Sequence, residues 1–308
     1  MVQAIGELQQ RTGELQQRTG EMGWQVLALQ EGRKQLEQQQ ALDRRATVYL
    51  RTELERLVET ISGNRELPLP EREHLARWRE SLADTDYFSF ESRYRPEAVV
   101  REEQKVYLPL FRDRAPILDL GCGKGEFLEV LREEGIEGYG VDLNERMVQV
   151  CREKGLLVHQ GDALDHLAGL ADDSLGGIFA AHLVEHLPVK ALGQLARLAL
   201  DKLQPEAYIA LETPNPLCLW ALANYFYLDL SHIKPIHPQA LSFVLEMHGF
   251  REVEVRYLHP VPEEVRMVLL PEATGTPMEK VVALLNQNLT RLNAALFGYA
   301  DYAVIARK

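Results

Sequence analysis

From residue 117 onward, short apolar runs alternate with longer segments in which apolar residues recur every three or four positions. The short runs predict β-strands that are buried on both faces, and the longer segments predict helices that pack against them. Regular alternation of the two is typical of an α/β domain built on one sheet. The predicted strands are residues 117–119, 139–142, 156–163, 174–182, 207–213, 253–258 and 302–306. A long insertion between the last two strands, about residues 260–300, contains a predicted helix over residues 277–297.

The first 62 residues follow a different pattern, with a seven-residue apolar repeat. Residues 6–12 are duplicated as residues 13–19, and the same register continues beyond them. This predicts an α-helical coiled coil over residues 1–62, and therefore a homo-oligomer. The competing interpretation is a glutamine-rich tail without stable helix, because each interior glycine costs about 1 kcal/mol and Arg33 falls in the seam. The apolar d positions are Leu8, Leu15, Met22, Leu29, Leu36, Leu50 and Leu57.

A proline-containing linker separates this segment from the α/β domain. Residues 67–70 read Leu-Pro-Leu-Pro, and we predict a linker and helical cap over residues 63–110. The α/β domain then occupies residues 111–308.

Composition excludes several classes of protein. The 308 residues carry a formal net charge of −12, which disfavours a partner bound through its phosphate backbone, so no nucleic acid is expected. No apolar run approaches the ~20 residues of a membrane span, and the first residues lack the basic and apolar regions of a signal peptide. We therefore expect a cytoplasmic location, with peripheral attachment at the inner membrane face as the alternative. The three cysteines are scattered and predict neither a disulfide framework nor a zinc cluster.

The most informative motif is the sequence ILDLGCGKGE at residues 117–126. An apolar strand ending near Asp119 is followed by glycines at every second position, Gly121, Gly123 and Gly125, and then by an amphipathic helix. Such a turn presents bare backbone to a ligand at a helix N-terminus. A dinucleotide-binding fingerprint requires its third glycine five residues after the first, where this chain has Glu126. The turn resembles instead motif I of class I S-adenosylmethionine-dependent methyltransferases.

That resemblance implies a fold and a cofactor site. The implied fold is a Rossmann-like α/β sheet of seven strands, with the seventh inserted antiparallel between the fifth and sixth. Asp142 ends the second strand, near the ~20-residue offset at which an acid accepts both ribose hydroxyls. Asp162 corresponds to the family's carboxylate against the adenine amino group, and Arg93 or Arg95 would meet the methionine carboxylate if residues 87–95 form a lid rather than a plain cap. The implied cofactor contacts are Asp119, Gly121, Cys122, Gly123, Gly125, Asp142, Leu143, Asp162, Ala163, His182 and Arg93.

Residues 182–186 read HLVEH and match the pattern of inverted zinc peptidases. Those peptidases need both histidines inside one helix, whereas here His182 directly follows a predicted strand and Pro188 follows His186 closely. We therefore assign no metal from the sequence. The segment resembles the E-H motif that follows strand four in many small-molecule methyltransferases, with side chains facing the acceptor. The alternative is that Glu185 and His186 only cap the next helix.

Four further motifs indicate the class of acceptor. They are an E-T-P-N-P turn at 212–216, a D-x-x-H-x-K-P loop at 229–235, F-E-x-R-Y-R at 90–95 and a terminal D-Y-A-V-I at 301–305. Together they resemble methyltransferases of bacterial polysaccharide and O-antigen biosynthesis over residues 87–308. Ile233 and His237 depart from that pattern. The implied acceptor is a glycan or glycan precursor, with other glycan-assembly enzymes as partners and with substrate contacts from Glu185, Asn215, Lys234 and His237.

Two other readings remain at the level of sequence. One is methylation of a small molecule such as a quinone or secondary metabolite, and the other is a coiled-coil scaffold with a vestigial cofactor domain. If a sugar hydroxyl is methylated, a base is needed within hydrogen-bond reach. The candidate bases are His182, His186 and His232. A phosphate acceptor would need none.

Overall fold

The computed structural model describes residue 34, residues 87–88 and residues 90–308. The predicted coiled coil over residues 1–62 and the linker over residues 63–86 lie outside the described residues. The aromatic segment predicted as cap or lid is helical at residues 87–88 and 90–94.

One seven-stranded sheet organises the domain. Its order is β3-β2-β1-β4-β5-β7-β6, and β7 runs antiparallel to both of its neighbours, β5 and β6. The remaining neighbours are parallel. The predicted insertion of the last strand between the fifth and sixth is therefore confirmed. The strands are β1 Ile117–Leu120, β2 Gly138–Asp142, β3 Val158–Gln160, β4 Leu175–Ala181, β5 Leu203–Pro214, β6 Arg251–Pro260 and β7 Tyr299–Arg307.

Helices cover both faces of this sheet. They are α1 Glu97–Gln104, α2 Leu108–Phe111, α3 Glu126–Glu133, α4 Glu145–Glu153, α5 Ala163–Gly169, α6 Val189–Lys202, α7 Leu219–Asn224, α8 Pro238–Met247 and α9 Glu279–Leu296. Short 3₁₀ helices occupy Lys105–Tyr107, Val184–His186, Phe226–Leu228 and Glu263–Val265.

Successive strand residues point to opposite faces, so each central strand contributes to two cores. Leu118 and Ile178 are fully buried in the core beneath α6 and α8, while Ile117 and Phe179 are buried in the core beneath α2 and α3. Burial on both faces explains why β4 is a continuous apolar run and why β1 is apolar at every position except Asp119. The edge strand β6 is only partly buried, and its sequence accordingly mixes charged and apolar residues.

Some predicted boundaries differ from the observed ones for local reasons. The third strand is shorter than predicted because the Asp162 side chain accepts from the backbone N–H groups of Leu164 and Asp165 and starts α5. In the described part of the helical cap predicted over residues 63–110, a 3₁₀ turn at Lys105–Tyr107 separates α1 from α2. The helix predicted over residues 277–297 is observed as α9, Glu279–Leu296. Among the described residues, no helix has the length and apolar character needed to span a bilayer.

Candidate active site

The glycine turn after β1 adopts a backbone that side chains disfavour. Gly121, Gly123 and Gly125 have φ values of +70°, +53° and +82°. A β-carbon on Gly125 would lie 2.4 Å from Leu156 Cδ1. Glycine is therefore required here both by conformation and by space, and the turn exposes bare peptide where β1 leads into α3.

Asp142 lies at the end of β2, directly beside this turn. Its Oδ2 accepts from Gly123 N at 2.9 Å, and its Oδ1 accepts from Asn144 N at 2.8 Å. Burial raises the pKa of Asp142 from its ordinary value, while those two backbone donors oppose the rise. Each carboxylate oxygen can accept more than one hydrogen bond, so Asp142 can also receive ribose hydroxyls.

A small cavity of about 30 Å³ lies over the turn. Asp119, Glu91 and Arg95 are among its lining residues. Burial raises the pKa of Asp119 well above its ordinary value, with further contributions from the nearby Glu126 and Asp142. The Glu91 carboxyl lies directly above the turn, 3.5 Å from the position that a β-carbon on Gly123 would take.

A larger cavity of about 370 Å³ shares Glu91 and Arg95 with the small one. Its lining residues come from four places in the chain. Two are the helical residues 87–88 and 90–94, and the connection after β4; the others are the segment after β5 and the end of β6. Its lining includes five aromatic residues: Tyr87, Phe90, Tyr94, Trp220 and Tyr225. Ionisable groups also line it, among them Glu103, His182, His186, Asp229, His232, His259 and Asp301.

His182 follows β4 with a positive φ of 54° and lies between two buried carboxylates. Its Nδ1 is 3.2 Å from Glu185 Oε1, and its Nε2 is 3.6 Å from Glu212 Oε1. Burial and Arg95 lower the pKa of His182, but the two carboxylates outweigh them and raise it to about 9. At neutral pH the side chain is therefore an imidazolium.

His186 and His232 are oriented by backbone carbonyls. His232 Nδ1 donates to the Phe226 carbonyl oxygen at 2.7 Å, and His186 Nδ1 lies 3.3 Å from the Ser231 carbonyl oxygen. The Ser231 hydroxyl donates its hydrogen to Asp229 Oδ1 and cannot also donate to His186. The Nδ1 atom of His186 is therefore the donor. Carbonyls only accept, so in the neutral form each ring has its lone pair on Nε2. Burial keeps the pKa of His186 below its ordinary value.

Two more pairs of polar side chains lie near these histidines. The Tyr107 hydroxyl donates to Glu212 Oε2, and His259 Nδ1 lies 2.8 Å from Asp301 Oδ2. Burial alone would lower the pKa of His259, but the Asp301 hydrogen bond and Glu212 raise it above its ordinary value.

Comparison with known proteins identifies the class to which this fold and site belong. Residues 92–255 match the methyltransferase domain family. A SAM-dependent methyltransferase of known structure from Archaeoglobus fulgidus is 41% identical, with a TM-score of 0.68 over 72% of this chain and 99% of that one. A SAM-dependent methyltransferase from Thermotoga maritima, described as a possible histamine N-methyltransferase, is 15% identical with a TM-score of 0.51 over 73% of this chain and 97% of its own, and shows the shared fold alone. A search of curated proteins gave no significant match.

The chain belongs to the S-adenosylmethionine-dependent methyltransferases. S-adenosylmethionine is its cofactor, and the residues present fit it. The turn of Gly121, Gly123 and Gly125 presents backbone without β-carbons, and Asp142 beside it is placed to accept from a ribose. The small cavity beside Asp119 opens toward Arg95, which can pair with a carboxylate.

Of the other residues predicted to contact the cofactor, only some line a cavity. Cys122 lines the small cavity with the glycines. Leu143 is exposed next to Asp142, and Ala163 begins α5 directly after Asp162, whose carboxylate caps that helix. Arg93 is exposed with its guanidinium 5.4 Å from the centre of the Tyr94 ring, and it lines neither cavity.

The predicted substrate residues separate into two groups. Glu185 is buried beside His182, His186 and His232. Asn215 is buried away from the cavity, where its Nδ2 donates to the Tyr299 carbonyl oxygen and joins the end of β5 to β7. Lys234 is exposed outside both cavities. His237 caps α8 by accepting from Gln239 N at 3.2 Å.

Sequence reasoning missed several residues of the site. Glu103, His259 and Asp301 are distant from His182 in the chain, and only the β5-β7-β6 pairing brings His259 and Asp301 to the cavity. Asp229 belonged to a recognised motif, and its spacing of three residues from His232 was the available signal.

Proposed function

We propose that this enzyme transfers a methyl group to a hydroxyl of a glycan or glycan precursor. The observation that carries the proposal is the histidine pair, His186 and His232, which line the large cavity with Nδ1 fixed as donor. Each ring can therefore offer Nε2 to a proton. A sugar hydroxyl is a poor nucleophile and needs such an acceptor.

The chemistry divides between cofactor and protein. When bound, S-adenosylmethionine supplies a methyl on positively charged sulfur, so the O–CH₃ bond forms as the S–CH₃ bond breaks and its electrons remain on sulfur. The protein must align the hydroxyl and remove its proton. The histidine pair provides the activating nitrogens. His182 is already protonated at neutral pH, so its contribution is to hold Glu185 and Glu212 in place and to present positive charge to the acceptor.

The prediction concerns the two members of the histidine pair. Replacing His186 or His232 with alanine should lower turnover about 100-fold or more, because the hydroxyl loses its activating nitrogen. Cofactor affinity should stay at the wild-type level in calorimetric titration, since neither residue lines the small cavity. The matched control is His237→Asn, which retains a helix-capping side chain.

Turnover is measured as transfer of labelled methyl to glycan precursors. Wild-type turnover in both alanine variants would reject the histidine pair and favour a phosphate acceptor, which needs no base.

The aromatic residues that line the cavity favour a second candidate, methylation of a planar small molecule such as a quinone. Five aromatic residues line it, and flat apolar rings bury well against such side chains. The two candidates are separated by offering sugar hydroxyl and aromatic hydroxyl acceptors in parallel and identifying the methylated product by mass.

A further inference from the structure

Three ligand atoms converge where the connection after β4 meets the segment after β5. One oxygen of Glu185 and one nitrogen each of His186 and His232 lie within 4.8 Å of one another. The distance from His232 Nε2 to Glu185 Oε1 is 3.9 Å. These three residues are named the His–Glu cluster below.

Two polar atoms of the His–Glu cluster have no hydrogen-bond partner among the described residues: Oε1 of the fully buried Glu185, and Nε2 of His186. Glu185 Oε1 does have a charged neighbour, since His182 Nδ1 lies 3.2 Å away without a well-aligned hydrogen bond. A buried polar atom without a hydrogen bond is unfavourable, so a ligand that satisfies both atoms is favoured.

The surroundings of the His–Glu cluster match those of metal ligands. A metal-binding histidine usually donates its other ring nitrogen to a carbonyl, as His186 and His232 do here. The ligating carboxylate is usually hydrogen-bonded too, and Glu185 Oε2 accepts from Thr213 Oγ1 at 2.8 Å. A second group, His182, Glu212 and Asp301, also brings three possible ligand atoms together. It differs from the His–Glu cluster because both ring nitrogens of His182 are already directed at carboxylates.

We propose that Glu185, His186 and His232 bind a divalent transition-metal ion of the zinc type. Two imidazoles and one carboxylate, with a fourth position open, form a ligand set typical of catalytic zinc. Metal–ligand bonds of about 2.0–2.2 Å require the cluster to contract by roughly 1 Å.

The ion would change the role of the histidine pair, and this part rests on the proposed O-methyl transfer. With their Nε2 atoms on the ion, His186 and His232 would no longer accept the proton themselves. The ion would instead make an acceptor hydroxyl in the open position more acidic. The Asp229 carboxylate, whose Oδ2 is 3.7 Å from His232 Nε2, would take that proton. The hydroxyl oxygen would then form its bond to the methyl group, and sulfur would retain the electrons of the broken bond.

The test uses Co²⁺ as a spectroscopic probe of the chelator-treated full-length protein. We expect one Co²⁺ per chain, visible absorption bands typical of bound cobalt, and displacement by Zn²⁺. His186→Ala and His232→Ala should bind Co²⁺ on the order of 100-fold more weakly. His237→Asn is the matched control and should bind as the wild type does. Absence of stoichiometric binding to the wild type, or equal affinity in the alanine variants, would overturn the site.

Methylation assays separate this proposal from the proposed function. Chelator-treated protein that loses turnover and regains it with Zn²⁺ supports the role of the ion. Full turnover without metal overturns that role and leaves methyl transfer intact. Co²⁺ binding by a protein that methylates no hydroxyl supports the metal site and overturns the proposed acceptor.

Discussion

At the scale of single residues, the chemistry of each side chain in the site depends on its hydrogen-bond and charge partners as well as on its residue type. Three histidines in the same cavity differ because of their neighbours. His182 is held as a cation between two carboxylates, whereas His186 and His232 are tied to carbonyls. The sequence named all three as equivalent candidates, because burial and partners are not visible in it.

The His259–Asp301 pair makes a pH-dependent contribution to stability. The folded-state pKa of His259 is raised, so the pair stabilises the fold below the unfolded pKa of about 6.5 and loses this effect as pH rises through the folded value. Asp301→Asn should therefore lower the free energy of unfolding more at about pH 6 than at about pH 9. Urea denaturation at both pH values measures the difference. A loss of equal size at both would contradict the assignment.

Asp142 provides a residue-scale prediction for cofactor binding. Asp142→Ala leaves ribose hydroxyls and the Gly123 N–H group without this acceptor. Each such loss costs on the order of 1–3 kcal/mol, so affinity should fall about 10-fold or more. Calorimetric titration with S-adenosylmethionine checks this, with Asp142→Asn as the control that retains one carbonyl oxygen. Unchanged affinity in the alanine variant would refute the ribose contact.

At the scale of elements, the glycine turn fixes how β1 leads into α3. Gly125 is the residue before α3 and adopts a left-handed backbone, which lets the chain reverse without a side chain near Leu156 or Cys151. The turn therefore stays close to β2, and Asp142 can hydrogen-bond Gly123.

Replacing Gly125 tests this reasoning against a matched position. Gly125→Ala should lose about 1–2 kcal/mol for the left-handed conformation and a further ~1–3 kcal/mol for overpacking against Leu156. Gly135 has a similar φ of +70° but has nothing within 4 Å of an added β-carbon. Gly135→Ala should therefore lose only the conformational part. Urea denaturation compares the two variants, and equal losses would show that space around Gly125 is not limiting.

At the scale of the whole molecule, the described residues from 87 onward contain the sheet, both cavities and the His–Glu cluster. The N-terminal coiled coil remains a prediction from the seven-residue repeat. From that repeat, and from the resemblance to methyltransferases of O-antigen biosynthesis, we propose that this segment assembles the enzyme and spaces the domain from its partners.

Deleting residues 1–61 tests this proposal. The truncated protein should be a monomer that still binds S-adenosylmethionine, since the described cofactor residues lie after residue 90. The full-length protein should be an oligomer, because a heptad with apolar d positions buries them between chains. Light scattering measures both masses. A monomeric full-length protein would reject the coiled coil and favour a tail without stable helix.

The sequence by itself determined the order of strands and helices, the glycine turn and Asp142. These features depend on neighbours in the chain: apolar runs form buried strands, and glycines at every second position allow a backbone that other residues avoid. The antiparallel last strand was also predicted, but through the family resemblance.

Only the tertiary structure decided the composition of the cavity. Glu103, His182, His259 and Asp301 come from separate elements that the sheet order brings to one place. Asn215 joins β5 to β7 and His237 caps α8, and neither residue lines either cavity. Whether a polar side chain contacts ligand or backbone depends on which atoms surround it, and those atoms come from distant parts of the chain.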